Sequence, residues 1–444
     1  MSGYTLALEF PGVTGREVIG TFDGGEMTSD AGVLLISAAD RRIGLVSALC
    51  EGMFDRRQGC KVKHSLVDML RERIFSVAMG YEDANDLDYL RDDPALKVAC
   101  LKRPKESDVL ASQPTISRLE NSVGRKELLR MGMSMACLVV SQLPADTKEV
   151  ILDIDATDDP CHGQQELRLF DGHYGTYCYL PLYMHITDQT GRQRLMGTLL
   201  RSACGRSTKG VMSFVRLAVR VVRLRFPDVR IIVRGDCGFG FGKLMNFCDS
   251  QGVGYVFAFQ STKTSAEMAL PIQMEAARNH RWVGEGCREY GDVSYQAKTW
   301  SRARRMIIKA EASGGVVDTR YIVTSDNAKA TEDIYGWYTQ RGDQENRIKE
   351  MKLDLCSGRT SCHRFLANQF RLLVHSAACV LMGVLQAALS GTSWAKAQVG
   401  TLRLRLLKVG ARVVESSRKV WFHLPTSFPD QKIWEHLHRR LLFR

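Results

Sequence analysis

Hydrophobic and polar positions recur with two different periods between residues 149 and 260. Alternating β-branched runs predict strands at 149–157, 176–187, 192–201, 229–235 and 253–260. Apolar residues three to four positions apart predict helices at 208–226 and 242–251. Three consecutive strands followed by alternating helices and strands are typical of an α/β sheet. The pattern therefore predicts an α/β core in the middle of the chain.

Acidic side chains lie at the ends of two predicted strands. Asp153 and Asp155 are two residues apart, so they share one face of the first strand, and Asp236 ends the fourth. Carboxylate oxygens are preferred ligands of Mg²⁺, and two such ions about 4 Å apart can hold both reacting oxygens of a phosphodiester. Together with a third acid, these residues predict a site for two Mg²⁺ ions, for which Mn²⁺ can substitute.

The third acid, Glu345, belongs to a segment with helical spacing. At about 3.6 residues per turn, Tyr338, Arg341, Glu345 and Lys352 fall within an arc of roughly 60°. Lys349 lies on the same face. A solvated stripe of ion pairs is the simpler interpretation of such a helix, but the two upstream acids favour a functional face.

The spacing of these four residues resembles a signature of bacterial insertion-sequence transposases of the DDE type, Tyr-x-x-Arg-x-x-x-Glu-x-x-x-x-x-x-Lys. Further segments are similar to the thirteen-eighty family of insertion sequences, namely residues 80–86, 110–121, 154–165, 171–174 and 345–350. The resemblance extends from about residue 20 to about residue 425.

The resemblance implies a ribonuclease H-like core whose first strand is central and whose fourth lies beside it. It implies that Asp155, Asp236 and Glu345 are the catalytic, metal-binding triad. It also implies that Tyr338, Arg341 and Lys352 contact phosphates of the transposon end, with Lys349 as a further DNA-binding candidate. Asp153 remains an alternative first acid, although Thr157, two residues after Asp155, fits the family pattern.

The implied activity is cut-and-paste transposition by a Mg-dependent transposase. The expected partners are double-stranded DNA, as terminal inverted repeats and target, and a second copy of the chain in a synaptic homodimer. Two rival hypotheses are a two-carboxylate hydrolase resembling a glycosidase and a catalytically silent, domesticated DNA-binding protein.

Five segments are expected along the chain. They are a largely helical, DNA-end-binding domain (1–145), the first part of the core (146–262), a β-rich insertion (263–330), the last part of the core (331–395) and a DNA-binding or dimerisation segment (396–444). Arg118, in a turn-and-helix pattern at 112–121, is a DNA-binding candidate, although an ordinary packed helix fits equally well. Alternation at 401–407 predicts a strand carrying Arg403 and Arg405 on one face.

The β-rich insertion resembles that of hairpin-forming members of the superfamily, in which an aromatic residue stacks on a flipped base. Trp300, our DNA-binding candidate here, and Trp282 are the aromatic residues that could do this, with core packing as the alternative for each. A hairpin step in cleavage is a hypothesis that depends on this insertion.

Composition narrows the class of protein. The 444 residues are 45% hydrophobic and 25% charged, which is typical of globular proteins and excludes general disorder. The net charge of +12 fits a polyanionic partner. Thirteen cysteines without CxxC pairs suit a reducing cytoplasm, where the nucleoid lies. Residues 1–5 show no basic-then-apolar leader, and residues 376–389 are too few to span a bilayer, so no membrane is expected.

Overall fold

The computed structural model describes residues 7–105, 109–203 and 208–443, so the expectation about a leader at residues 1–5 lies outside the described residues. The strands are β1 (Leu8–Val13), β2 (Arg16–Gly20), β3 (Met27–Thr28), β4 (Glu149–Ala156), β5 (Asp159–Pro160), β6 (Leu169–Asp171), β7 (Thr176–Tyr179), β8 (Leu182–Asp188), β9 (Gln193–Leu199), β10 (Arg230–Gly235), β11 (Gly254–Phe259), β12 (Cys287–Tyr295), β13 (Arg304–Ser313), β14 (Val316–Thr324), β15 (Ala411–Glu415) and β16 (Val420–His423). The helices are α1 (Val33–Ile43), α2 (Leu45–Glu51), α3 (Leu66–Met79), α4 (Leu87–Leu90), α5 (Pro94–Ala99), α6 (Gln113–Ser122), α7 (Arg125–Ser141), α8 (Val211–Arg225), α9 (Gly242–Ser250), α10 (Lys263–Val283), α11 (Thr331–Thr339), α12 (Gly342–Leu353), α13 (Phe365–Ala388), α14 (Val399–Leu402) and α15 (Gln431–Leu442).

The chain divides into two compact units. The first consists of Met1–Ser122, Asp354–Cys356 and Ala377–Arg444, and the second of Val123–Leu353 and Ser357–Ser376. The first unit contains helices α1 to α6 and a three-stranded sheet in the order β16-β15-β3. Its core includes a fully buried Arg73, whose Nε donates to Glu120 Oε1 at 3.1 Å.

An eight-stranded sheet forms the centre of the second unit, in the order β12-β13-β14-β11-β10-β4-β8-β9. β10 runs parallel to both of its neighbours, β4 and β11, and the other pairs are antiparallel. β4 has buried residues on both faces, as expected for a central strand. The prediction that the first and fourth core strands lie side by side is confirmed.

The end of β10 approaches β4 very closely. A Cβ at Gly235 would lie 2.9 Å from the Phe239 ring and 3.1 Å from a methyl group of Ile154. Only a glycine fits there without displacing its neighbours, so the chain can deliver Asp236 beside the end of β4.

The predicted β-rich insertion differs from the observed structure. Its three strands exist, but β14 pairs with β11, so they extend the main sheet rather than form a separate module. The region also contains α10, which the pattern did not predict and which has Pro271 in its interior. Ala276 on α10 packs against Ala310 and Ala312 of β13. The hairpin step in cleavage stays a hypothesis.

Three predicted elements have a different backbone. The strand expected at 176–187 is two strands, β7 and β8, which belong to different sheets. The segment 338–352 is not one helix, because α11 ends at Thr339 and α12 begins at Gly342. Residues 401–407 were expected to form a strand, but they belong to α14 and to a π-helical turn, Arg403–Leu407. Leu402, Leu406 and Leu407 are buried, so four-residue spacing outweighs the local alternation.

Helix α13 is long and apolar enough to cross a membrane by length and composition alone. Within its most apolar window, 72% of the residues are buried inside the protein, as in the core helix of a folded domain.

Candidate active site

Two neighbouring acids of β4 have different surroundings. Asp153 is fully buried, and Arg234 on β10 donates to it twice, from Nε to Oδ1 at 2.6 Å and from Nη2 to Oδ2 at 2.9 Å. Gln193 Nε2 also donates to Oδ2 at 3.2 Å. Asp155, in contrast, lines an open cavity. The bonding of Asp153 is that of a structural ion pair, which favours Asp155 as the first acid of the site.

This cavity brings together residues from β4, the end of β10 and α12. Its volume is about 620 Å³. It is lined by Asp155, Ala156, Thr157, Asp236, Arg341, Glu345, Ile348, Lys349, Lys352 and Leu353. All three predicted acids and three of the predicted phosphate-binding cations therefore face one space.

Arg341 links two of the acids. It lies in the short connection between α11 and α12, where its Nη2 donates to Asp155 Oδ2 at 2.7 Å and its Nη1 to Glu345 Oε1 at 3.2 Å. Asp236 instead turns its Oδ1 toward the backbone N–H of Gly238 at 2.8 Å. The guanidinium thus compensates part of the negative charge that the fold concentrates here.

The local field changes the pKa of the first acid. The pKa of Asp155 is raised to about 6, mainly by burial and also by the charges of Asp236 and Glu345, while Arg341 opposes the rise. Burial likewise raises the pKa of Tyr338 to about 12, partly opposed by Arg341. Tyr338 is therefore a neutral hydroxyl near the acids, able to donate a hydrogen bond to an anionic oxygen.

Two lysines of α12 line the other side of the cavity. Lys352 Nζ donates to Asp158 Oδ1 at 2.8 Å and to Thr157 Oγ1 at 3.2 Å. Lys349 is exposed. Both ammonium groups are close enough to the acids to contact an anion that enters the cavity.

The carboxylates suit a divalent metal ion by their chemistry. All three are hard oxygen donors on one cavity, which is the ligand type that Mg²⁺ requires. Among the described residues, no group of three or more His, Cys, Asp or Glu side chains is gathered tightly enough to hold a metal ion. Arg341 is the group that bridges Asp155 and Glu345, so a cation bound by both would replace it as their partner.

Two predicted DNA contacts lie outside this cavity. Trp300 is only 6% exposed and packs edge-on against Phe259 and Tyr295, so it cannot stack on a base, and the core-packing alternative is correct. Trp282, near the end of α10, is 86% exposed. Arg118 is exposed on α6 in the first unit, and its Nη2 donates to Thr115 Oγ1 at 3.1 Å.

Sequence reasoning missed two residues that position the acids. Arg234 also donates from Nη1 to the carbonyl of Trp337 at 2.7 Å, which ties α11 to β10. The buried Gln344, next to Glu345, donates from Nε2 to the backbone carbonyl of Asp153 at 2.9 Å. The signals that could have found them in the sequence were the position of Arg234 inside an apolar strand and the position of Gln344 beside Glu345.

Comparison with known proteins places the chain in a family. A sequence model described as "Transposase DDE domain group 1" matches residues 10–443. No curated protein sequence is significantly similar. A cryo-EM structure of the piggyBac transposase synaptic complex with hairpin DNA is similar over 86% of this chain and 80% of that one, at 12% identity and a TM-score of 0.43. The family match covers nearly the whole chain, and the protein therefore belongs to the DDE transposases of group 1.

Proposed function

We propose that this transposase excises and inserts a bacterial insertion sequence of the thirteen-eighty type by cut-and-paste transposition. The observation that carries the proposal is the shared cavity, in which Asp155, Asp236 and Glu345 meet although they are far apart in sequence. DDE transposases generally use divalent metal ions, and Mg²⁺ suits these carboxylates. The reaction is hydrolysis of a phosphodiester at each terminal inverted repeat, followed by attack of the freed 3′-hydroxyl on target DNA.

The three carboxylates act as metal ligands in this proposal. Two bound Mg²⁺ ions, or Mn²⁺ in their place, would lower the pKa of a water molecule and neutralise charge on the reacting phosphate. Asp155 is buried, but Glu345 has a side chain that is 55% exposed, so DNA can reach this side of the cavity. Asp153 serves the fold through Arg234.

The cations and the tyrosine hold the DNA backbone. Arg341 presents a planar guanidinium, which binds phosphate through two parallel hydrogen bonds. Lys349 and Lys352 add positive charge on the same wall, and Tyr338 adds a neutral donor. Tyr338, Arg341 and Lys352 belong to the Tyr-Arg-Glu-Lys signature, and together with Lys349 they orient the phosphate before the bond breaks.

The partners follow from this activity. The inverted repeats and the target are double-stranded DNA, which fits the net charge of +12, and Arg118 is a candidate contact in the amino-terminal part. Two ends must be cut together, so we expect a homodimer in the synaptic complex. The nucleoid in the bacterial cytoplasm is where such DNA is found.

The test is excision from a supercoiled plasmid that carries the native element ends. The wild-type protein with Mg²⁺ is compared with Glu345→Gln, with a sample containing EDTA, and with Asp343→Asn as a matched control. Asp343 is an exposed acid on the same helix that does not line the cavity.

We expect excision by the wild type and by Asp343→Asn alone. If every protein binds the ends and none cuts them, the alternative of a silent DNA-binding protein replaces this proposal. Cleavage that persists in EDTA would contradict the role assigned to metal ions.

A further inference from the structure

A small hairpin beside the cavity exposes an unusual group of aromatic rings. It consists of β6, the turn 172–175 and β7, and we call it the aromatic hairpin. Phe170 and Tyr177 are paired directly across its two strands, with ring centroids 5.6 Å apart in an edge-to-face arrangement. They are 57% and 48% exposed, although burial of such rings is normally favourable.

The tip of the aromatic hairpin has a defined backbone. Asp171 Oδ1 accepts from the N–H of His173 at 2.9 Å and of Tyr174 at 3.3 Å, and its carbonyl accepts from Gly175 N–H at 2.8 Å. Gly175 adopts a φ of +66°, which closes the turn. Tyr174 is thereby held on the tip with 41% of its surface exposed.

The base of the aromatic hairpin is anchored in the second unit. Tyr179 is fully buried, donates from its hydroxyl to the Glu166 carbonyl at 2.6 Å, and packs edge-on against Phe365. The exposed rings therefore stand on a fixed support, so little conformational entropy is lost when a ligand contacts them.

The rings lie close to the acids. The backbone N–H of Cys161 donates to the Tyr177 carbonyl at 2.8 Å, and Cys161 follows the cavity residue Thr157 by four positions. Four residues span at most about 14 Å, so the backbone of β7 lies within that distance, plus one hydrogen bond, of the cavity residue Thr157. Burial raises the pKa of the Tyr174 hydroxyl, and the charges of Asp158 and Asp155 raise it further. The Tyr174 hydroxyl therefore lies within electrostatic range of the acids.

The side chains of the aromatic hairpin suit a ligand that consists of planar rings on an anionic chain. The guanidinium of Arg168 lies 4.6 Å from the centroid of the Tyr177 ring. Aromatic rings mixed with basic side chains bind unpaired nucleotides, because every base has a face that stacks and a phosphate that attracts a cation.

We infer that the aromatic hairpin is a stacking site for an unpaired nucleobase of the DNA end, beside the phosphate held at the acids. This inference rests on the proposed function. It assigns the stacking role to Phe170, Tyr174 and Tyr177 instead of to a tryptophan of the 263–330 region.

The experiment uses full-length protein with Glu345→Gln, so that DNA is bound and not cut. Two versions of the element end are compared, one fully duplex and one with three unpaired nucleotides beside the terminal phosphate, each containing 2-aminopurine at one of these positions. Binding and fluorescence are measured for Glu345→Gln alone, with Phe170→Ala/Tyr177→Ala, and with Trp282→Ala.

We expect the double substitution to weaken binding of the unpaired end roughly 5- to 150-fold, which corresponds to the loss of stacking on one base. Binding of the duplex should change less than about twofold on the same scale, and quenching of 2-aminopurine should be lost. Trp282→Ala should bind like the parent. Tyr177→Phe keeps the ring and should retain quenching, which separates stacking from a damaged fold.

Equal affinity of the double variant and its parent for the unpaired end would overturn this inference alone. A loss seen only with Trp282→Ala would also overturn it. If the double substitution changes the oligomeric state by light scattering but not the affinity, the patch binds a second copy instead. If the parent binds neither DNA, the proposed function fails together with this inference.

Discussion

Asp153 and Asp155 stand two residues apart on β4, and both are buried and paired with an arginine, yet only Asp155 faces an open cavity. Asp153 lies in the core with a bidentate arginine partner, so its charge is matched and its oxygens are occupied. Asp155 is partnered by an arginine that it shares with Glu345, and it borders a cavity of about 620 Å³. The difference indicates that the partner, rather than the strand position, determines whether an acid stabilises the fold or remains open to a ligand.

The largest expected effect is on activity at Asp155. Asp155→Asn should lower the cleavage rate roughly 10²- to 10⁴-fold, because a metal ligand contributes several kcal/mol to transition-state stabilisation. The free energy of unfolding should stay the same or rise, since a buried charge is removed. Single-turnover cleavage and urea denaturation of the same protein measure both. A large loss of stability here would remove the contrast with Asp153.

The reverse result is expected at Asp153. Asp153→Asn leaves Arg234 buried without a counter-charge, which should lower the free energy of unfolding by about 3–5 kcal/mol and Tm by roughly 6–20 °C. Thermal unfolding measures the change. The double variant Asp153→Leu/Arg234→Met should recover most of the stability, because it removes both charges. If the double variant does not recover stability, the Asp153–Arg234 pair contributes more to the fold than the mutual neutralisation of two buried charges.

A third aspartate sharpens the comparison through pH. Asp159 is 2% exposed, accepts from Thr360 Oγ1 at 2.8 Å, and has an Oδ1 without a hydrogen-bond partner among the described residues. Burial raises its pKa to about 7. Between pH 4 and pH 7 the folded protein holds a proton on Asp159 that the unfolded chain has released, so the stability contributed by Asp159 is fully present below pH 4 and is lost as the pH rises through 7.

Asp159→Asn should remove this loss and raise the free energy of unfolding at pH 8 by on the order of 2–4 kcal/mol. Denaturation at pH 5 and pH 8 provides the measurement. Asp158→Asn is the matched control, for which we expect a stability change of the opposite sign. Lys352 pairs with Asp158 and lowers the pKa of that carboxyl. Equal pH profiles for Asp159→Asn and wild type would assign the dependence to another buried acid such as Glu72, whose pKa burial raises to about 8.

The smallest effect is expected at Gln344, which connects the surroundings of the two acids. Its side chain binds the backbone of Asp153, and the next residue is Glu345. Gln344→Leu leaves the Asp153 carbonyl without its donor and should cost about 1–3 kcal/mol of stability. Because Glu345 is the next residue, cleavage should slow roughly tenfold through misplacement of the acid. Asn346→Ala, an exposed neighbour on α12, is the control. Normal cleavage by a destabilised Gln344→Leu would show that the bond supports the fold alone.

The sequence predicted the parts of the fold that depend on strand patterning. The alternation in 149–157 and 229–235 predicted two strands, and the resemblance placed them side by side with their acids at one edge, as observed. A period of two does not reveal what lies opposite a buried charge, so it could not separate Asp153 from Asp155. That distinction needed Arg234, which β10 places directly across from Asp153.

Other features depend on tertiary packing and could not be predicted. Trp300 fills the space beside Gly242, and a composition argument cannot tell a packed tryptophan from an exposed one. The break between α11 and α12 has no proline to signal it. The β-rich character of residues 263–330 was predicted, but the pairing of β14 with β11 depends on contacts between residues that are distant in sequence. The aromatic hairpin could not be predicted, because a pattern of hydrophobic positions does not distinguish exposed aromatic residues from core residues.

The arrangement of the three acids also has a consequence for protein synthesis. Glu345 is made about 190 residues after Asp155, which at 5–20 residues per second is a delay of roughly 10–40 s. Until the ribosome has added α12, the growing chain has no complete set of acids and no Gln344 to fix the last one in place. In the proposed mechanism, a chain that terminates before Glu345 therefore cannot cleave DNA.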